Sequence, residues 1–379
     1  MNRKSIRLAL GALVASVGLV AISHAKDIVV GQSTALSGTL ATSGNPMRIG
    51  AQACFDMVNA SGGIRGQKIR FISKDDQYQV DTTVSNVKEL TDRDEAVVLV
   101  GGSGTANNEA LLNEKVLANA NIAMVGPRTG SVSLRQPFNP YMFHVRAGYG
   151  QEVNKAVDYF KTINVKKIAI VYQNDAFGND GLAAAKLALR RADLEPTSIA
   201  TYARNSTDVD EAVRDTLAGV PQAVLLLTTT DPTAAFIKRF RSAGGVARLM
   251  ALSVNDGGSI VRQIGPEMAY GLTITTVFPS HSRVDYPIVK EFRQALQHFG
   301  PGDAHASQVS FEGYLVARVI VEALKGAGEN PTRAQVMRNM ESLGHRDMGG
   351  FWVNFGPNTR TGSNYVDISF VDKNGSLLR

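Results

Sequence analysis

Beyond residue 25 the apolar positions fall into two kinds of stretch that alternate. Runs dense in Val, Ile and Leu, at 27–34, 67–73, 95–102 and 121–126, are separated by segments in which apolar residues recur every three or four positions, near 46–60, 82–93 and 107–119. The first kind predicts strands buried on both faces and the second predicts amphipathic helices, so a parallel sheet covered by helices is expected. The pattern then starts again: a helix near 150–162, a strand at 167–172, a helix near 180–193, a weaker strand near 197–202, a helix near 207–218 and a strand at 222–230. A helix near 232–243 and strands at 247–253 and 271–278 complete this second unit. Helices recur near 286–298, 307–326 and 331–341, before two late strands at 350–355 and 364–371. Those late elements are too few for a third domain. They are expected to complete the two existing sheets, giving an α/β fold of two doubly wound parallel-sheet lobes between which the chain crosses more than once.

The first 25 residues are of another kind. Arg3, Lys4 and Arg7 precede the uncharged run 8–22, which ends in Ser23, His24 and Ala25, the order of a secretory signal peptide with cleavage after Ala25. The rival, an uncleaved anchor, meets an apolar run shorter than the roughly 20 residues a bilayer requires. The mature chain is thus expected to be soluble, in the periplasm. With 379 residues, 44% hydrophobic and 20% charged, the composition is globular and long enough for two cores. Loss of the leader's three cations lowers the formal net charge from +6 to +3. The basic residues are dispersed and no helix-turn-helix pattern precedes the first strand, so nucleic acid is not an expected partner. Cys54, the single cysteine, shares a helix face with Ile49, Ala53, Met57 and Val58 and reads as a core residue.

Open parallel sheets bind ligands outside the carboxyl ends of their strands, where helix N-termini present unpaired N–H groups. Two facing lobes make a cleft there, so the strand-to-helix loops carry the candidate chemistry. The loop in 98–112, VLVGGSGTANNEALL, fails as a dinucleotide fingerprint because Asn107 stands where the third glycine belongs. It lacks the Gly-Lys-Ser/Thr ending of a phosphate loop, and Thr105 replaces the last glycine of a nucleophile elbow. What remains is a helix start with bare amides around Ser103, Gly104 and Thr105, suited to a carboxylate; a tight turn with no ligand is the alternative. A second such loop, VGPRTGSVSLR at 125–135, offers Thr129, Gly130 and Ser131, with Arg128 either an anion's partner or a solvated surface arginine.

Catalytic patterns are sparse. The histidines at 24, 144, 281, 298, 305 and 345 show no metal-binding spacing, and neither a cofactor nor a metal is expected. Asp75 and Asp76 are adjacent, so at a strand end their side chains diverge, whereas a general acid and base must converge on one substrate. They read as architecture, with Asp81 as the next helix's N-cap and Gly62, Gly63 and Gly66 permitting the reversal before the strand.

The order and spacing of several segments resemble the type I periplasmic solute-binding proteins of ABC importers, typified by the leucine/isoleucine/valine-binding protein. They include VGQSTALSGTLATSG, NASGGIRGQKI followed by DD, VGGSGTAN, VGPRTG, KIAIVYQNDAFGNDG, FIKRFRSAGG and YGLTITT, and span nearly the whole mature chain. The resemblance implies a substrate carboxylate held by the loops around Gly104, Thr105, Arg128 and Thr129, with Phe177 as an aromatic wall where a tyrosine is more usual. It implies crossings near 145–148, 273–279 and 355–362, hence one lobe of 26–146 plus 280–348 and another of 147–279 plus 349–379. The family's tyrosine and glutamate for the substrate ammonium match Thr230 and Ser253 here, with Asp231, Asn255 and Asp256 nearby as substitutes. A tyrosine often found near Ser43 is also missing. The expected function is capture by hinge closure of a branched-chain or other hydrophobic amino acid, or of an aromatic or other non-amino carboxylic acid. A monomer would deliver it to an inner-membrane ABC permease. A ligand-sensing module uses the same cleft, and a secreted α/β enzyme is the rival of another class.

Overall fold

The computed structural model describes residues 26–378; the leader segment assigned above lies outside them. The first part of the chain runs β1 (Ile28–Thr34), α1 (Ala41–Ala60), β2 (Ile69–Asp75), α2 (Val80–Asp92), β3 (Val98–Val100), α3 (Thr105–Asn113), α4 (Val116–Ala120), β4 (Met124–Val125) and β5 (Met142–Phe143). These strands form a five-stranded parallel sheet in the order β2-β1-β3-β4-β5. The side-chain period of two divides each strand between two cores. Val30, Val98 and Val100 face one apolar cluster, whereas Val29 and Leu99 face the other. Both faces being dry, the strands read as continuous apolar runs.

The second unit runs α5 (Tyr149–Thr162), β6 (Ile168–Asn174), α6 (Ala176–Arg191), β7 (Pro196–Ala203), α7 (Asp210–Ala218), β8 (Ala223–Leu227), α8 (Thr230–Ser242), β9 (Arg248–Ala251), α9 (Gly257–Ala269) and β10 (Thr273–Thr276). Then come α10 (Pro287–Phe299), α11 (Gln308–Gly326), α12 (Arg333–Ser342), β11 (Gly344–Asp347), β12 (Trp352–Phe355), β13 (Asp367–Val371) and β14 (Leu377–Leu378). The second sheet has the order β14-β13-β10-β9-β8-β6-β7, with β13 antiparallel to its neighbours.

Several elements differ from the sequence expectations. The helix expected at 107–119 is two helices, broken at Lys115, whose φ of 55° lies in the left-handed region. Asp81 is not the N-cap of α2: Gln79 occupies that position and Asp81 falls inside the first turn. Of the late strands, β13 joins the second sheet, but β12 pairs with β11 in a separate two-stranded ribbon and does not complete the first sheet. Phe351, Val353 and Phe355, placed above in the second lobe, pack instead into the first lobe's core with α10, α11 and α12. The last crossing therefore follows Phe355.

Three crossings join the lobes: after β5, between β10 and α10, and between β12 and β13. The first and third are tied together, His144 N–H donating to the Arg360 carbonyl at 2.7 Å and Gly362 N–H to the His144 carbonyl at 2.7 Å.

Candidate functional site

The two loops singled out in the sequence lie side by side at the carboxyl ends of β3 and β4. Gly104, with φ 100°, is the N-cap position of α3 and brings no capping side chain. A Cβ there would stand 2.4 Å from the Tyr78 ring. Glycine is thus required twice over, by its backbone angle and by its neighbour. The first-turn N–H groups of a helix have no acceptor within it, so the start of α3 is an anion-seeking end. Ser103 beside it is buried, and its Oγ has no hydrogen-bond partner. The Thr105 and Thr129 hydroxyls lie 2.8 Å apart, and Ser131 N–H donates to Thr129 Oγ1 at 3.2 Å. Gly130 accepts from Tyr149 N–H at 2.8 Å and admits no Cβ against it.

These loops bound a small cavity between the lobes, lined by Ser103, Gly104, Thr105, Arg128, Leu40 and Tyr78 on one side. Tyr149, Phe177, Thr229 and Val254 line the other. The Tyr149 and Phe177 rings meet edge to face, centroids 5.2 Å apart, and form an aromatic wall. Burial pushes the Tyr149 phenol above its ordinary pKa, so it remains a protonated donor.

Arg128 is neither a surface side chain nor open to an anion. Its Nε donates to Glu312 Oε2 at 3.2 Å, while Nη1 reaches Ser43 Oγ at 3.3 Å and the Val254 carbonyl at 3.1 Å. Nη2 donates to the Val254 and Ser253 carbonyls at 3.1 and 3.4 Å. Glu312 on α11 also accepts from Arg146 Nη1 at 3.3 Å. Arg146 in turn meets Glu152 Oε1 at 3.5 Å and the Ser253 hydroxyl. Glu152 Oε2 accepts from Ser253 N–H at 2.9 Å and Thr275 Oγ1 at 2.5 Å. Two arginines and two glutamates thus neutralise one another beneath the cavity. Burial lowers the pKa of Arg128 despite Glu312. At Arg146 two glutamates outweigh burial and hold it above the usual value.

Six expected site residues do not line this cavity: Thr129 and Gly130, which contact Thr105 and Tyr149 behind it, and four from the second lobe. Thr230 Oγ1 accepts from Asp256 N–H at 3.0 Å, and Asp256 Oδ1 caps α9 at Ser259 N–H, 2.8 Å. Asn255 Nδ2 donates to the Thr228 carbonyl at 2.8 Å, and its side chain borders a neighbouring cavity. Asp231 Oδ1 accepts from Gln263 on the protein's flank. Thr230, Asn255 and Asp256 thus tie the β9–α9 turn to the start of α8. Sequence reasoning missed Tyr78, Tyr149, Thr229, Val254 and Leu40, although Thr229 sits in a conspicuous run of three threonines. Among the described residues no group of three or more His, Cys, Asp or Glu is placed to hold a metal ion, and no helix is long and apolar enough to cross a membrane.

Residues 27–376 match the sequence profile of the family described as periplasmic binding protein. The fold superimposes on a substrate-binding periplasmic protein from Ralstonia solanacearum with a TM-score of 0.90, at 37% identity over 93% of this chain and 99% of that one. A branched-chain amino acid ABC transporter protein from Thermus thermophilus, solved with bound valine, gives a TM-score of 0.84 at 20% identity, covering 93% and 94% of the two chains. Among curated relatives, an amino acid binding protein of Pseudomonas aeruginosa is 23% identical over 88% of each chain.

Proposed function

Because the chain belongs to the periplasmic binding protein family, we propose that it captures a small carboxylic acid with an apolar body in the interlobe cavity and hands it to a membrane ABC permease. The observation that carries this reading is the unpartnered, buried Ser103 hydroxyl beside the uncapped start of α3, facing an aromatic wall from the opposite lobe. Carboxylate oxygens accept from hydroxyl and amide donors, and the rings of Tyr149 and Phe177 cover the rest of the molecule. Contacts from both lobes exist together only when the lobes approach, which gives a ligand its differential affinity for the closed form. Delivery follows when the closed face is read by the permease, and release of the unaltered molecule to that permease completes the cycle. The names of several relatives point to branched-chain amino acids.

A second reading is favoured by one feature of the lining: its charged residue is Arg128, and among the described lining residues none is Asp or Glu. An ammonium group finds no carboxylate there, so an acid without an amino group fits as well as an amino acid or better.

Thermal-shift and calorimetric titration of the mature protein with leucine, phenylalanine, 4-methylpentanoate and phenylpropionate tests both. A bound probe at 100 times its dissociation constant should stabilise by about 2.7 kcal/mol. Tighter binding of the amino acids would select the first ligand class, and tighter binding of the deaminated acids the second. Retention of the shift in Thr105→Ala and Thr129→Ala would sink the site assignment, and conversion of a probe into product would sink the binding reading.

A further inference from the structure

Tyr78 lines the cavity from the first lobe, yet its ring, hydroxyl and carbonyl all meet side chains of the second. The Arg204 guanidinium stacks on its ring, 3.9 Å from the centroid. Arg204 Nη2 donates to the Tyr78 carbonyl at 2.6 Å and to Asn107 Oδ1 at 2.7 Å. The Tyr78 hydroxyl donates to Asp175 Oδ2 at 3.3 Å and accepts from Gln173 Nε2 at 3.1 Å. Asp175 also pairs with Arg204 Nε at 3.8 Å. Resting on the two-lobed binding reading above, we propose that Tyr78 and Arg204 form a latch across the mouth of the cleft, which favours closure with its own interactions and slows escape of whatever the cavity holds.

The latch has a built foundation in the first lobe. Tyr78 adopts φ 61° and Gln77 φ 52°, left-handed conformations that non-glycine residues rarely hold without support. The support is the aspartate pair. Asp75 Oδ1 accepts from Gln77 N–H at 2.9 Å, and Asp76 Oδ1 accepts from Tyr78 N–H at 2.9 Å. Asp76 Oδ2 takes the Thr83 hydroxyl at 2.9 Å, and Thr83 Oγ1 accepts from Asn107 Nδ2 at 2.7 Å. One carboxylate therefore fixes both first-lobe groups that Arg204 engages, the Tyr78 peptide and the Asn107 amide. Such precision would be idle at a face that met only water. A guanidinium withdrawn from water onto an aromatic face, with two hydrogen bonds, is among the stronger contacts a small area can make.

The test is the interlobe distance in the mature protein without added ligand, measured by double electron–electron resonance. Labels go on cysteines replacing the exposed Asp81 and Glu211, while the native Cys54 is buried in the core. Arg204→Ala is expected to lower the ratio of short to long distances about tenfold, the order lost with a desolvated cation–π contact and its hydrogen bonds. Arg204→Lys should fall between, since it keeps the charge and loses the planar fork. An unchanged melting temperature in Arg204→Lys establishes that the fold is intact. A distance ratio identical in wild type and both variants overturns the latch while leaving the hinge standing. A single fixed distance that also resists every probe in the ligand panel removes the hinge itself, and the latch with it.

Discussion

Ser103 and Gly104 share one turn and serve it differently. Gly104 is demanded by the backbone and by the Tyr78 ring, so it belongs to folding as much as to binding. Ser103 gives the fold no hydrogen bond through its hydroxyl. Ser103→Ala should therefore leave thermal stability unchanged or slightly higher, since a buried orphan hydroxyl costs free energy. It should weaken a carboxylate probe by about tenfold, the worth of one hydrogen bond to a charged group; calorimetry and a melting curve on the same sample separate the two effects. Loss of stability without loss of affinity would mean the hydroxyl is structural. The small-residue loop itself was legible, because a strand followed by glycines and a helix has few uses. The role of Arg128 was not, since its partners Glu312 and Val254 lie 184 and 126 positions away and no local pattern announces them. Nor did the sequence disclose that Asp256 caps a helix, because α9 contains Gly265 with φ 81° followed by Pro266, which masks its period.

At the scale of elements, the tightest junction is between α1 and α11. A Cβ on Gly50 would lie 1.8 Å from the Ser310 carbonyl oxygen, and one on Gly313 would lie 2.0 Å from that of Met47. Backbone carbonyls cannot swing aside as a long side chain can, so the two glycines set how closely the helices cross. Gly313→Ala should force them apart and destabilise by about 1–3 kcal/mol or more, as overpacked cores do, with chemical denaturation as the measure. Because α11 also carries Glu312, the same wedge should disturb the charges under the cavity and weaken binding. Helices and buried strands were readable from period alone. The short elements β5, β11 and β14, of two to four residues, were not, because their pairing partners define them and their own pattern does not.

On the scale of the whole molecule, the arginine–glutamate chain spans the structure from α11 through the first crossing to α5 and β10. Arg128 belongs to one lobe and donates to the Ser253 and Val254 carbonyls of the other, so the chain is complete only when the lobes meet. Glu312→Gln leaves Arg128 and Arg146 buried beside a neutral amide. The expected cost is about 3–5 kcal/mol, the range for a buried pair that loses one partner, read from urea unfolding. A change within error would show that water reaches these groups and screens them. The two-lobed plan itself was visible in the double round of strands and helices, whereas the attachment of β12 to the first core was hidden, since sequence order suggested the other lobe.

The three crossings have a practical corollary for dissecting the molecule. The first lobe's core draws on residues 28–147 and again on residues 277–355, so its hydrophobic centre is assembled from two distant stretches of gene. A fragment ending near residue 147 would carry the first sheet but keep only α1 on one side of it, lacking α10, α11 and α12. Neither half should be obtainable as a contiguous soluble piece, and a split version should regain order only when the complementary fragments are produced together.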